Sequence, residues 1–192
     1  FWIVICIGLV LCVACCRTIK GFTIGTPFTM VQAAIISVLL IAGAFDLLEA
    51  LSPAADADSL AYHFALPRDF IAAGRIEFVP RAVSGAIPLL YHMNYAAALA
   101  AGGELALTLW TMTTGWATGL LLYVLSRRYL GRVWSLVLLA IFATTPAVLY
   151  GGGSGQVEIR CAGAALAAAA FIVSAGRENS LRLFAVAGFC AG

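Results

Sequence analysis

The chain has 192 residues, of which 63% are hydrophobic and 10% are charged, and its formal net charge is +2. Soluble domains carry about 25% charged residues, so this composition excludes an ordinary soluble protein and predicts an integral membrane protein. The small, scattered net charge argues against nucleic acid as a partner. We expect residues 1–192 to be a single transmembrane domain. Because the chain begins with Phe1 and ends with Gly192 inside apolar runs, we expect it to be part of a longer protein.

Apolar runs of membrane-spanning length recur along the chain, separated by polar breaks. A helix needs about 20 apolar residues to cross the hydrocarbon core of a bilayer. On that criterion the sequence predicts an all-α fold, a polytopic transmembrane bundle with about five to six spans. Gly102 and Gly103 predict a turn ahead of the third span. The runs cover residues 1–16, 28–51, 105–125, 133–150 and 162–175, and a last, shorter run covers 183–192.

The main polar interruption covers residues 52–69, directly after the second run. It contains Asp56, Asp58, Tyr62 and His63, a local cluster of polar side chains. Lipid penalises such side chains heavily unless they line a wet or protein-filled cavity. This stretch is therefore the leading candidate for a functional site.

Short helices are predicted inside this first polar loop. Asp58 or Ser59 is a favourable N-cap for the first helix. Pro67 suits the first position of a second helix, which Gly74 would end. Leucine and phenylalanine are mixed here with charged residues, which is typical of helices that lie at a membrane surface. We therefore expect interfacial helices in the first outer loop.

The charges are divided between the two sides of the predicted bundle. Turns at 17–20, 127–132 and 177–182 fall on one side and hold seven of the eleven Lys and Arg residues. Because Lys and Arg accumulate in cytoplasmic loops, that side is predicted to be cytoplasmic. The acidic loops at 46–88 and 151–160 then share the outer side, which a common site would require.

Several short motifs, taken in order, resemble those of a known family. They are Asp56-Ala-Asp58-Ser-Leu-Ala-Tyr62-His63, Leu66-Pro67-Arg68-Asp69-Phe70, Gly74-Arg75-Ile76, Arg127-Arg128, Thr145-Pro146 and Ser154-Gly-Gln-Val-Glu158. Over roughly residues 28–176 the chain resembles the N-terminal part of membrane-embedded GT-C glycosyltransferases. Bacterial family-39-like, protein-mannosyltransferase-like and aminoarabinose-transferase-like proteins are the members it resembles.

Such enzymes take a sugar from a polyprenyl-phosphate carrier at the outer face of the membrane and invert the anomeric carbon. The resemblance therefore implies a multi-pass glycosyltransferase of the bacterial inner membrane, with its acidic loops facing the periplasm or exterior. Its implied partners are membrane lipids, a polyprenyl-phosphate sugar as donor, and a lipid, glycan or protein as acceptor.

The resemblance also implies roles for individual residues. Asp58 would act as base or position the acceptor, with Asp56, otherwise a solvated loop acid, as second candidate. Glu158 would contact acceptor, donor or metal, and His63 is a further substrate-binding candidate. Arg160 would meet the carrier phosphate, since the planar guanidinium of arginine suits phosphate. Whether a divalent cation takes part stays open, because these oxygen and nitrogen ligands do not have a spacing that demands one.

Most of these residues also have a structural interpretation. Asp58 suits an N-cap, and His63 suits a surface or network histidine. Glu158 and Arg160 could pair with each other across one intervening residue. The glycine-rich residues 151–155 lack the surroundings of a phosphate-binding loop and predict a flexible outer turn.

A second class of function is a non-catalytic scaffold. In that interpretation the chain keeps the GT-C helical fold and packs its apolar faces against a larger membrane complex. A transporter is less favoured, because no helix shows paired interior charges or a broken centre. A reading frame that continues for several more helices and an outer soluble domain would favour the enzyme, whereas a stop codon near residue 192 would favour the scaffold.

Overall fold

The computed structural model describes residues 29–78, 80 and 90–191. Those residues are all-helical, as the sequence predicts, and the chain from Val31 onward forms one compact unit. The predicted first span, residues 1–16, lies outside the described residues. The helices are α1 (Met30–Ala50), a short π-helix (Ser59–His63), α2 (Ala65–Ala73), α3 (Leu90–Ser126), α4 (Arg132–Thr144), α5 (Pro146–Gly152), α6 (Glu158–Glu178) and α7 (Leu181–Ala191).

Three helices have the length and apolar composition to cross a membrane, namely Met30–Ala50, Tyr91–Ser126 and Glu158–Glu178. The bent pair α4 and α5 makes a fourth if it counts as one span. The described residues therefore contain three or four helices that could span a membrane, where the sequence predicts about five to six spans. Helix α7 has only 11 residues, a length of roughly 16 Å that is too short to span.

Gly102 and Gly103 divide α3 into two helical segments. Gly103 has φ +69°, a left-handed conformation that residues with a Cβ rarely adopt. Residues 104–126 form a segment of about 34 Å, long enough to cross a hydrocarbon core of roughly 30 Å. The turn predicted at these glycines is confirmed, and the residues before it form a separate helical segment beside the first polar loop.

A second break separates α4 from α5, where the sequence predicts one continuous run over residues 133–150. The two helices meet at an angle of 70° at Thr145, which is extended. Pro146 causes the bend, because its ring disfavours a helical conformation for the preceding residue and it has no N–H to donate. The bend turns α5 so that it packs on α3 and α6.

Two clusters of buried apolar residues hold the helices together. One cluster joins the first loop, α3 and the start of α6, and the other joins α1 to α4. Many large apolar side chains remain exposed outside these clusters, for example Leu40 (69%) in α1 and Ile141 (60%) in α4. An apolar surface of this extent fits contact with lipid and not with water. The first cluster contains Phe64, Tyr95, Ala98, Leu107 and Val157.

Candidate functional site

The two polar stretches, about 100 residues apart in sequence, meet in the structure. The side-chain amide of Gln156 donates a hydrogen bond to Asp58 Oδ2 (3.2 Å). The N–H of Gly155 donates to Ser59 Oγ (2.7 Å). Residues 52–64 and 151–160 therefore form one polar assembly at one end of the helices, which we call the loop junction.

Arg160, in the first turn of α6, lies at the centre of the loop junction and is 2% exposed. Its Nε and Nη2 both donate to the carbonyl of Thr111, and Nη2 also donates to the carbonyl of Gly152 (2.9 Å). Its Nη1 donates to the carbonyls of Gly151 (2.9 Å) and Gln156. These contacts use all five N–H groups of the guanidinium. The structure thus leaves Arg160 no free donor for the phosphate that the resemblance assigns to it.

The direct contacts of this buried cation are with carbonyl dipoles and not with a carboxylate. Gly151 and Gly152 lie at the C-terminal end of α5, and the C-terminal end of a helix carries partial negative charge. Among the described residues, the ion pairs join Arg68 to Glu104 and Arg75 to Glu77. The pairing of Glu158 with Arg160 that the sequence suggested is therefore not formed.

Asp56, and not Asp58, caps the π-helix. Asp56 Oδ1 accepts a hydrogen bond from the Ser59 N–H (2.8 Å), whereas Asp58 makes no capping hydrogen bond. The interpretation of Asp58 as an N-cap is therefore wrong. The Asp58 carboxylate is exposed and accepts from Gln156, so of the two acids it is the one available for chemistry.

His63 is buried (1% exposed), and its Nδ1 lies 2.9 Å from Nε2 of His92 in α3. The ring of Tyr62 lies beside it, with ring centroids 4.1 Å apart. Burial lowers the pKa of His63, although the charges of Glu158 and Asp58 act in the opposite direction. His63 is therefore a buried network histidine that is neutral at neutral pH.

Glu158 begins α6 and is exposed. An acid in the first turn also interacts favourably with the positive end of the helix. Burial raises the pKa of Tyr62, and the charges of Asp58 and Glu158 raise it further. The two predicted acids thus influence the same phenol, which stays protonated at neutral pH and is able to donate a hydrogen bond.

The glycine-rich residues 151–155 are buried along their whole length, so the prediction of a flexible outer turn is wrong. A Cβ at Gly153 would lie 2.5 Å from Glu49 Oε2, and one at Gly155 would lie 2.5 Å from Ser59 Oγ. The N–H of Gly153 also donates to Glu49 Oε2 (3.2 Å). Glycine occurs here because neighbouring side chains approach the backbone too closely for any larger residue.

An open cleft of about 620 Å³ lies beside the loop junction. This volume falls within the range of roughly 300–1,000 Å³ that is typical of ligand sites. Two acids, Glu49 and Asp56, line it together with Tyr150. Sequence reasoning selected Asp56 but not Glu49, whose only signal is an acid at the polar end of a spanning helix. The other lining residues are Ser52, Pro53, Ala54, Ala55, Ala57, Thr108, Gly153 and Ser154.

Asp46 connects α1 to the same region from inside the helix. It is buried, and its Oδ2 accepts a hydrogen bond from the indole N–H of Trp116 (2.7 Å). The backbone of Gly152 packs against its carboxylate. A buried acid that is hydrogen-bonded in this way is part of the packing that supports the loop junction.

No coordination site for a metal ion is found in residues 29–78 and 90–191. Within these ranges no three His, Cys, Asp or Glu side chains lie close enough together to bind one ion. Two of the residues that could supply ligand atoms are engaged elsewhere, since His63 bonds His92 and Asp56 bonds the Ser59 N–H.

Comparison with known proteins gives no family assignment. No family model, no curated protein and no solved structure matches the chain. The geometry of the loop junction and the sequence motifs are therefore the basis for a functional proposal.

Proposed function

We propose that this protein is a membrane glycosyltransferase of the GT-C type, which transfers a sugar from a polyprenyl-phosphate carrier to a lipid, glycan or protein acceptor. The observation that carries the proposal is the loop junction. The hydrogen bond from Gln156 to Asp58 (3.2 Å) joins the acidic motif of the first loop to that of the second. From the resemblance to GT-C enzymes we expect acids from these two loops to lie in one site.

In this proposal Asp58 takes the proton from the acceptor hydroxyl while its oxygen attacks the anomeric carbon. The bond from that carbon to the carrier phosphate breaks on the opposite face, so the configuration inverts. The polyprenyl phosphate leaves with the bonding electron pair. Asp58 suits this role because its carboxylate is exposed and is not used for capping.

The open cleft supplies the space for a sugar or acceptor in this proposal. Ala57, which precedes Asp58, lines it, and the carboxylates of Glu49 and Asp56 can accept hydrogen bonds from hydroxyl groups. Glu158 remains the second-loop acid of the proposed site. Arg160 acts indirectly, because its buried guanidinium holds the backbone of the second loop in place.

The proposal includes an orientation in the bacterial inner membrane, with the loop junction toward the periplasm. Exposed arginines at the opposite ends of α3 and α6, such as Arg128 and Arg177, would then face the cytoplasm. The π-helix and α2 would lie at the outer interface, with the exposed side chains of Leu60 and Ile71 toward lipid. A span formed by residues 1–16 would raise the total toward the predicted five to six.

Replacement of one carboxylate tests the proposal. We expect Asp58→Asn to lower sugar transfer by roughly 100- to 10,000-fold, because general base catalysis contributes that much. The assay uses the full chain in membrane vesicles with polyprenyl-phosphate sugars and measures release of polyprenyl phosphate. Asp69→Asn is the matched control, since Asp69 is an exposed acid in α2 outside the loop junction.

Retained transfer in Asp58→Asn would remove this residue from the mechanism. The scaffold alternative also has one observation in its favour, because Arg160 is used entirely for structure. If the wild-type chain transfers no sugar from any polyprenyl-phosphate donor and purifies as a subunit of a larger membrane complex, the scaffold function replaces the enzymatic one.

A further inference from the structure

Two buried histidines, one in the first loop and one in α3, form a hydrogen bond that the proposed reaction does not use. His63 Nδ1 lies 2.9 Å from His92 Nε2, and the residues are 1% and 0% exposed. Their remaining nitrogens, His63 Nε2 and His92 Nδ1, are buried and have no hydrogen-bond partner among the described residues. The bond between the rings is therefore the polar contact that each imidazole makes.

The number of protons on the pair decides whether this bond exists. In the neutral pair, one ring donates its N–H and the other accepts. With one added proton the bond persists, because the imidazolium donates to the neutral ring. With two added protons both facing nitrogens carry hydrogen, so the bond is lost and two like charges face each other at short range.

The surroundings of the pair affect the protonation of His63 in two opposite ways. Burial lowers the pKa of His63, which is the largest effect, and the positive charge of Arg160 lowers it too. The three nearby carboxylates raise it. The titratable and charged groups that face the pair are Asp56, Asp58 and Tyr62 from the first loop, Tyr95 from α3, and Glu158 and Arg160 from α6.

The bond between the two histidines joins the short π-helix to the long helix α3. His63 is the last residue of the π-helix, a rare helical form that is stable only when its surroundings support it. Other supports at this place include the Ser59 Oγ bond to Gly155 (2.7 Å), the Gln156 bond to Asp58 (3.2 Å) and the contact of Phe64 with Tyr95. The histidine bond is the side-chain hydrogen bond that joins the end of the π-helix to α3, so its loss loosens the segment that presents Asp58.

We propose that the His63–His92 pair is a proton-operated latch. It holds the π-helix against α3 while at least one ring is neutral, and it releases the π-helix when both rings are protonated. The latch is a property of the folded chain and does not depend on the proposed glycosyltransferase activity.

The sign of the pH dependence follows from the lowered pKa of His63. A neutral histidine that is favoured by the fold stabilises it fully above the unfolded pKa of about 6.5. Because the bond persists with one added proton, this stabilisation is lost only when the pH falls far enough below the lowered pKa of His63 to protonate the second ring as well. Release is therefore expected in acid and not in base.

Hydrogen exchange of the full chain in phosphatidylcholine nanodiscs tests the latch. Protection factors, taken against unstructured peptides at the same pH, remove the intrinsic pH dependence of exchange. Between about pH 7 and about pH 3.5, where both rings are protonated, we expect protection of residues 57–66 to fall by about tenfold or more. Protection of residues 165–185, in the α6–α7 hairpin, stays constant.

His63→Gln and His92→Gln are the matched variants, because glutamine keeps a donor and an acceptor but does not titrate. We expect acid to leave protection of residues 57–66 unchanged in both. Glu158→Gln, at an exposed position, should shift the wild-type transition to lower pH, since it removes a charge that favours protonation. A wild-type protection that is independent of pH, an equal acid response in folded glutamine variants, or no shift in Glu158→Gln would overturn the proposal.

Discussion

Arg160 shows how one buried side chain can set the geometry of a whole site. An arginine has five N–H donors and no acceptor, so burying it at 2% exposure requires acceptors for all five N–H groups. Here Thr111 in α3, Gln156 and the end of α5 supply them. Because these groups come from three separate parts of the chain, the position of the second loop depends on this one cation.

We expect Arg160→Lys to lower the free energy of unfolding by about 2–4 kcal/mol, because lysine has three donors and leaves buried carbonyls unpaired. The free energy is measured by denaturant unfolding in detergent micelles. Arg128→Lys is the control, since Arg128 is exposed, and we expect it to change the same quantity by less than about 0.5 kcal/mol. Equal losses in the two variants would contradict a structural role for the guanidinium.

The sequence predicts which stretches carry the site better than it predicts the role of each residue. Asp56 and Asp58 are two residues apart and are equally good N-caps by type, and only the hydrogen bond from the Ser59 N–H in the folded loop assigns the cap to Asp56. Arg160 follows a polar loop, a position that also suits a residue that binds phosphate. Its structural role could not be predicted, because its partners are main-chain carbonyls, which every residue has. Glu49 reaches the cleft from a spanning helix, so it lacks a motif of its own.

At the scale of the element, the stability of the second loop depends on the close packing of side chains from the first loop against its glycine backbone. We expect Gly155→Ala to lower the free energy of unfolding by about 1–3 kcal/mol, since its Cβ would lie 2.5 Å from Ser59 Oγ and 2.8 Å from the ring of Phe64. Gly176→Ala, in the last turn of α6 with no atom from the rest of the fold within 4 Å of its Cβ, should be neutral or stabilising by up to about 1 kcal/mol. Both are compared by denaturant unfolding, and an equal effect of the two would contradict close packing at Gly155.

Helix ends and breaks that a glycine causes locally were predicted correctly from the sequence. Gly74 ends α2 in a left-handed conformation, and Gly102 and Gly103 break α3. The start of α2 was misplaced, because the helix begins at Ala65 and Pro67 sits in its first turn, where proline is still tolerated. The bend at Thr145 interrupts an apolar run that hydropathy alone treats as continuous.

For the whole molecule, the proposed orientation predicts opposite accessibility at the two ends. In a chain whose six cysteines are replaced by serine, we expect Ala55→Cys to react with a membrane-impermeant maleimide in intact spheroplasts. Tyr129→Cys, at a position that is 73% exposed, should react only after the membrane is opened. Labelling of Tyr129→Cys before opening, with Ala55→Cys protected, would reverse the orientation.

The membrane class of the molecule follows from composition, because a chain with 63% hydrophobic residues has too little polar surface for water. The number of spans does not follow as directly. Hydropathy counts apolar residues, but a span also requires a helix that is long and straight enough. Helix α7 is too short, and the α4–α5 pair is bent.

The acceptors around Arg160 have a consequence for how this protein can change over time. Every one of them is a main-chain carbonyl, so exchanging the side chains of Thr111 or Gln156 leaves the partners of the cation in place. Inserting or deleting a single residue between 151 and 160 would instead move those carbonyls out of reach. The length of the second loop should therefore stay fixed even where its side chains change.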